Sequence, residues 1–179
     1  MKKVLLKIWF IWEWIFEKLT SIHPVPGGFF RIAIRTYRGA KLICMDGTAL
    51  NPGDRYGELH LNNRFFTELS KQCSSPAFLG ISSLRESKKA FALLKEYVKS
   101  EPLFKDVNVF MGYTLLNRGI KRLGFEVRDI KSGFVKNLFS NYEKMLLAIL
   151  HPEGFKRIMS KKMVSKQVLI TKNTLEKLY

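Results

Sequence analysis

The residues best suited to chemistry lie close together in GDRYGELHLNN, Gly53 to Asn63. In an extended segment alternate side chains share a face, so Glu58, His60 and Asn62 point one way while Leu59 and Leu61 point the other. A carboxylate beside an imidazole is the minimum for acid–base work. The imidazole titrates near neutral pH, and the carboxylate can orient it or raise its pKa. Glu58, His60 and Asn62 are therefore the candidate catalytic row. Asp46, Asp54 and Asn63, at neighbouring turns and strand ends, are candidate ligand-binding groups. Further along, Tyr113 and Thr114 close a strand-like segment, where sites in α/β sheets commonly open, and Arg118 begins a helix that can help hold an anion. The structural alternative is a Glu–His pair that stitches the sheet to its loop, with Asn62 or Asn63 capping the following helix. A metal centre is not expected: the group has two neighbouring potential ligands, no HxH or HExxH spacing and no thiolate pair.

These residues must be positioned by a sheet. FFRIAIRTYRG alternates apolar and basic residues and reads as a strand whose outer face carries Arg31 and Arg35; KLICMDGT then pairs with it as a hairpin. The LNPGD turn leads into RYGELHLNN as the third strand of an antiparallel meander. RFFTELSKQC reads as a helix, SSPAFLGIS as a short strand and SLRESKKAFALLKEYVKSEP as a helix ended by Pro102. Then come strand VNVFMGYT, short helix LLNRGIKRLG, strand FEVRDI, the long amphipathic helix FVKNLFSNYEKMLLAILHP, strand QVLI and a final helix started by Thr171 or Asn173. The class is α+β, with α/β around the same mixed sheet as the alternative. The expected organisation is a helix over 1–22, a Pro/Gly linker over 23–28 and one domain over 29–179.

The first segment, MKKVLLKIWFIWEWIFEKLTSIHPVPGG, is too charged for a signal peptide or a membrane span. At helical spacing Val4, Leu5, Ile8, Trp9, Ile11, Trp12, Ile15, Phe16 and Leu19 form one broad face, and Lys2, Lys3, Lys7, Glu13, Glu17 and Lys18 the other. Tryptophans beside lysines suit a lipid interface, although the same face can dock on the domain or on a second copy as a homodimer. In the 179 residues, 31 Lys and Arg against 15 Asp and Glu give a net charge of +16, which favours polyanions. An anionic membrane surface or anionic envelope polymer is the expected partner. Nucleic acid is disfavoured, because no recognition signature accompanies the charge. Cys44 and Cys73 lack CxxC spacing, so reduced thiols are expected. The expected location is cytoplasmic, at the inner face of the membrane.

Read in order, DGT at 46–48, GD at 53–54, ELHLNN at 58–63, RLGFEV at 122–127, HPEG at 151–154 and the closing LITKNTLEKLY resemble the YkoP-like domain of Firmicutes over nearly the whole chain. Members of that family stand alone or attached to polysaccharide deacetylase domains, which implies an envelope-carbohydrate context. The metal motifs of those deacetylases are absent here, and that activity is not carried over. The expected function is thus an envelope-associated accessory protein with a polar pocket on Glu58, His60 and Asn62. From Ala77 to Ile130 the element order is also similar to the acyl-CoA half of the GNAT acetyltransferase superfamily. That likeness implies acyl-CoA as a cofactor, with the pyrophosphate held at a helix start in SSLRESKK, on Ser82 to Glu86 with Lys88 and Lys89 adding charge. This turn contains no glycine. Outside that alternative no cofactor is expected.

Overall fold

The sheet is organised around a parallel pair. In the computed structural model, which describes residues 2–115, 119–130, 140–141, 143–145 and 164–179, the chain opens with α1 (Lys2–Thr20). It continues through β1 (His23–Pro24), β2 (Phe30–Thr36), β3 (Leu42–Ile43), β4 (Ala49–Leu50), β5 (Arg55–Leu61), α2 (Asn63–Gln72) and α3 (Pro76–Ser100). After a 3-10 turn at Pro102–Phe104 come β6 (Val109–Thr114), a second 3-10 turn at Ile120–Leu123, β7 (Glu126–Asp129), β8 (Lys166–Thr171) and α4 (Lys172–Leu178). Six strands form a mixed sheet in the order β1-β2-β5-β6-β8-β7. Its ladders are antiparallel except β5 with β6. The fold class is α+β.

Alternation assigns the two faces. Ile32, Phe110, Val168 and Ile170 point to one side, where Phe91, Leu94 and Val98 of α3 and Leu175 of α4 complete the main core with Phe104 and Val107. Val109, Met111 and Leu169 point to the other side and are covered by Leu42, Cys44 and Leu50. Two glycines allow the parallel strands to approach. A side-chain carbon at Gly112 would stand 2.8 Å from the Leu59 carbonyl oxygen, and one at Gly57 would meet the Phe110 ring at 2.4 Å.

Several expected elements differ. The segment after β2 is not its hairpin partner. β3 and β4 pair with each other in a separate two-stranded sheet, and β2 pairs directly with β5. The physical cause is the turn at Met45–Gly47: Cys44 N donates to Thr48 O and Gly47 N to Cys44 O, with Gly47 at φ 86°, which folds the segment back on itself. SSPAFLGIS is not a strand. Ser75 caps α3 by accepting from Phe78 N, and Pro76 at the first helical position extends the helix to 25 residues. SSLRESKK therefore lies within a continuous helix, where its N–H groups are engaged in the helix ladder. That removes the proposed pyrophosphate turn. His23 and Pro24 are not a bare linker but pair with Ile32 and Arg31. The short helix expected before RLGFEV is a 3-10 turn in its described part, and most of the long helix expected over 134–152 lies outside the described residues.

The orientation of α1 is also a correction. Trp9 and Glu13, each 8 % exposed, point inward together, one turn apart. Ile8, Ile11, Ile15 and Leu19 face solvent, with Leu19 at 79 % exposure. Glu13, expected outside, is held because Arg31 Nη1 lies 3.2 Å from its Oε1 and Asn63 Nδ2 donates to that oxygen at 2.7 Å. Ion pairing and hydrogen bonding offset the cost of burying the carboxylate.

Candidate functional site

The row on β5 is completed by its neighbours. The β2–β5 register sets Arg31 opposite His60, Ala33 opposite Glu58 and Arg35 opposite Tyr56, so all six share one face. β6 places Met111 beside Glu58, and alternation brings Tyr113 to the same side. Gln167 of β8 stands opposite Tyr113. The β3–β4 hairpin closes the N-terminal end of the parallel pair on this face. Met45 N donates to Glu126 Oε1 at 2.5 Å, and Arg128 Nη2 donates to Ile43 O at 2.5 Å and to Glu126 Oε2 at 2.7 Å. The polar row lies toward the opposite, C-terminal end.

Arg35 Nε donates to Glu58 Oε2 at 3.0 Å, and His60 Nε2 lies 3.4 Å from the same oxygen; all three side chains are partly exposed. Burial would raise the Glu58 carboxyl, but the His60 imidazole and Arg35 guanidinium outweigh it and hold it below the usual carboxylate range. Glu58 is thus an ionised anchor and a weak base. The carboxylate lies close enough to orient the His60 imidazole. Burial pushes the Tyr113 phenol up, with the Glu58 charge acting in the same direction and a hydrogen bond with Gln167 opposing it. Tyr113 therefore remains a neutral donor at neutral pH. Arg35, an imidazole and a phenol around one carboxylate make a patch suited to a small polar ligand, while the Arg31 guanidinium on the same face is held by Glu13 of α1.

The other sequence candidates do not join this patch. The Asn62 side chain is committed to capping α2: Oδ1 accepts from Arg64 N at 3.1 Å and Phe65 N at 3.3 Å, while Nδ2 donates to Gly28 O at 2.7 Å. Asn63 holds Glu13 of α1. Asp54 closes its own turn by accepting from Asn51 N at 2.6 Å and Asn51 Nδ2 at 3.0 Å. Asp46 ties the hairpin to the start of α4, accepting from Thr48 N at 3.0 Å and from the Thr171 hydroxyl at 2.5 Å. Burial would raise the Asp46 carboxyl, but these bonds outweigh it and hold it below its usual range. Thr114 follows Tyr113 on β6 and points to the other face. Arg118 lies outside the described residues. Arg31, Arg35 and Gln167 are the additions. Alternation had already put both arginines on the outer face of their strand, whereas their partners follow only from the register.

Among the described residues no group of three or more His, Cys, Asp or Glu side chains can hold a metal ion, and no helix is long and apolar enough to cross a membrane. Burial pushes the Cys44 thiol up to about 11, with Glu126 adding to the shift, so this cysteine is an unreactive part of the smaller core.

No solved structure matches the chain. The chain is similar to the uncharacterized protein YkoP of Bacillus subtilis (strain 168), at 26% identity over 130 residues, 71% of each chain. The sequence profile of the YkoP domain matches residues 2–179, which takes in α1, the polar row on β5 and the closing β8–α4 unit alike. The chain belongs to the YkoP domain family.

Proposed function

We propose that this YkoP-domain protein is a peripheral, envelope-associated protein that binds an anionic lipid surface through the outer face of α1. Its polar row would take an anionic or carbohydrate ligand of the envelope. The observation that carries this reading is the orientation of α1. The helix docks on the domain through Trp9 and Glu13 and presents Ile8, Ile11, Ile15 and Leu19 to solvent. Beside them Lys18 Nζ lies 5.0 Å from the Trp14 ring centroid. An outward apolar stripe edged by cations, on a chain of net charge +16, fits the inner leaflet of a bacterial membrane. The test is co-sedimentation with vesicles containing anionic lipid at low salt. Wild type should sediment, and Ile8→Ser/Ile11→Ser/Ile15→Ser should lose binding by about 1 kcal/mol per residue. Wild type remaining in the supernatant would remove the membrane reading. A concentration-dependent dimer broken by the same substitutions would assign the face to a second copy.

A second reading, acyl transfer from acyl-CoA with His60 as base, is favoured by the parallel pair. Its ladder pairs Gly57 with Phe110 and Glu58 with Met111, and both strands then run on to Leu61 and Thr114 beyond the last pair. The C-terminal ends of parallel strands, here beside His60, are where ligands of such sheets commonly bind. Thermal shift with acyl-CoA tests it: saturating ligand must raise the melting temperature, and no rise counts against it.

A further inference from the structure

We infer that Lys7 and Arg64 form a head-group subsite in which the phosphate of an anionic membrane phospholipid binds between α1 and α2. This rests on the membrane reading above and names the lipid chemistry that the surface takes. A shallow groove of about 510 Å³ runs between the two helices, lined by Lys7, Phe10, Ile11, Arg64 and Glu68. Its floor is apolar and its rim cationic. Arg64 is held in place: its guanidinium carbon lies 5.2 Å from the Phe10 ring centroid, and Nη2 donates to Phe10 O at 3.2 Å. The remaining donors of its fork stay available for a phosphate. Neither Lys7 nor Arg64 is paired with a carboxylate among the described residues, and both are exposed. Glu68, the one acid in the lining, is already bound by Lys71 at 2.6 Å, which compensates its charge.

The position of the groove argues for lipid rather than free phosphate. Ile11 belongs both to the groove and to the outward stripe of α1, and it is 61 % exposed. A helix lying at the interface with Ile8, Ile11 and Ile15 among the acyl chains brings Lys7 and Arg64 to head-group depth, where a planar guanidinium can meet phosphate oxygens in pairs. A soluble anion would gain the cations but nothing from the isoleucines.

The test compares wild type, Lys7→Gln/Arg64→Gln and the control Lys88→Gln/Lys105→Gln on vesicles with and without anionic phospholipid. The control removes the same charge from exposed residues of other segments. At about fivefold per basic residue at an anionic surface, the groove variant should lose roughly 25-fold in affinity for anionic vesicles, and the control less than threefold. Arg64→Lys keeps the charge without the fork and should fall between wild type and the groove variant. Equal losses in the groove variant and the control would overturn the subsite while leaving the membrane reading in place. No binding by wild type would overturn both. A soluble glycerophosphate probe that binds wild type without vesicles, and loses binding in the groove variant, would overturn the lipid assignment in favour of a free phosphate ester. Unchanged melting temperatures for all variants establish that the comparison is between folded proteins.

Discussion

Removing the charge of Glu13 tests how α1 is fixed. Its Oε1 lies 3.2 Å from Arg31 Nη1, and the two side chains are 9 % and 12 % exposed. At that separation, with the effective dielectric of about 20 that suits such sites, the gross attraction is about 5 kcal/mol. Desolvation of both ions offsets most of it, so the net worth of the pair is small. Removing one partner is different, because it takes a charge away from the other while that group stays largely desolvated. Glu13→Ala removes the carboxylate facing the nearly buried Arg31 guanidinium and costs Asn63 its acceptor, which should destabilise docking by about 3 kcal/mol. The loss should appear as release of α1 rather than global unfolding, since the main core of β2, β5, β6, β8, α3 and α4 does not include the helix. Trp9 provides the assay: in Trp12→Phe/Trp14→Phe, Glu13→Ala should red-shift its emission and increase acrylamide quenching. Glu13→Leu/Arg31→Met, which replaces the pair by apolar groups, should restore most of the docking. Unchanged Trp9 emission in Glu13→Ala would refute the argument, and so would a double variant as loose as the single one.

Asn62→Ala removes the α2 cap and the bond to Gly28 O, and should cost about 1–2 kcal/mol in urea denaturation. Gly112→Ala drives a carbon to 2.8 Å from the Leu59 carbonyl oxygen, so β5 and β6 must separate; a loss of at least about 2 kcal/mol is expected in the same assay. Burial pushes the Glu143 carboxyl up to about 7, partly opposed by the neighbouring Ser165 hydroxyl. A raised carboxyl binds its proton more tightly in the folded state. Its contribution is therefore fully present below the unfolded value near 4.5 and declines as pH rises toward 7. Glu143→Gln should remove that decline from a stability–pH profile, and an unaltered profile would count against the burial of this group. Glu58 has the opposite sign: its lowered pKa gives stability that is present above the unfolded value and lost as pH falls through the folded one. Glu58→Gln should therefore flatten the acid limb of the same profile.

The sequence made the α+β class and most described elements legible, because apolar periodicities of 2 and 3.6 and cap residues such as Asn62 and Thr171 are local signals. The common direction of Glu58 and His60 was legible for the same reason. The register was not. Arg31 stands opposite His60 only because residues 37–54 fold back on themselves as a separate hairpin, and no local pattern distinguishes that from a meander. The start of α3 carried its signal in Ser75–Pro76, but the short apolar run after it reads equally well as a strand. The orientation of α1 was hidden most completely. A glutamate among tryptophans reads as solvent-facing until a partner from β2, 18 residues away, is brought beneath it.

The position of β8 has a consequence for synthesis. Val109 pairs with Thr171 and Val127 with Val168, so β8 enters between two strands made before it. Until residues 166–171 leave the ribosome, β6 and β7 each lack this neighbour and the sheet is divided. A nascent chain stalled before that point would expose two unsatisfied strand edges and depend on chaperones, whereas α1, whose partners Arg31, Asn63 and Arg64 are made long before β8, can already be in place.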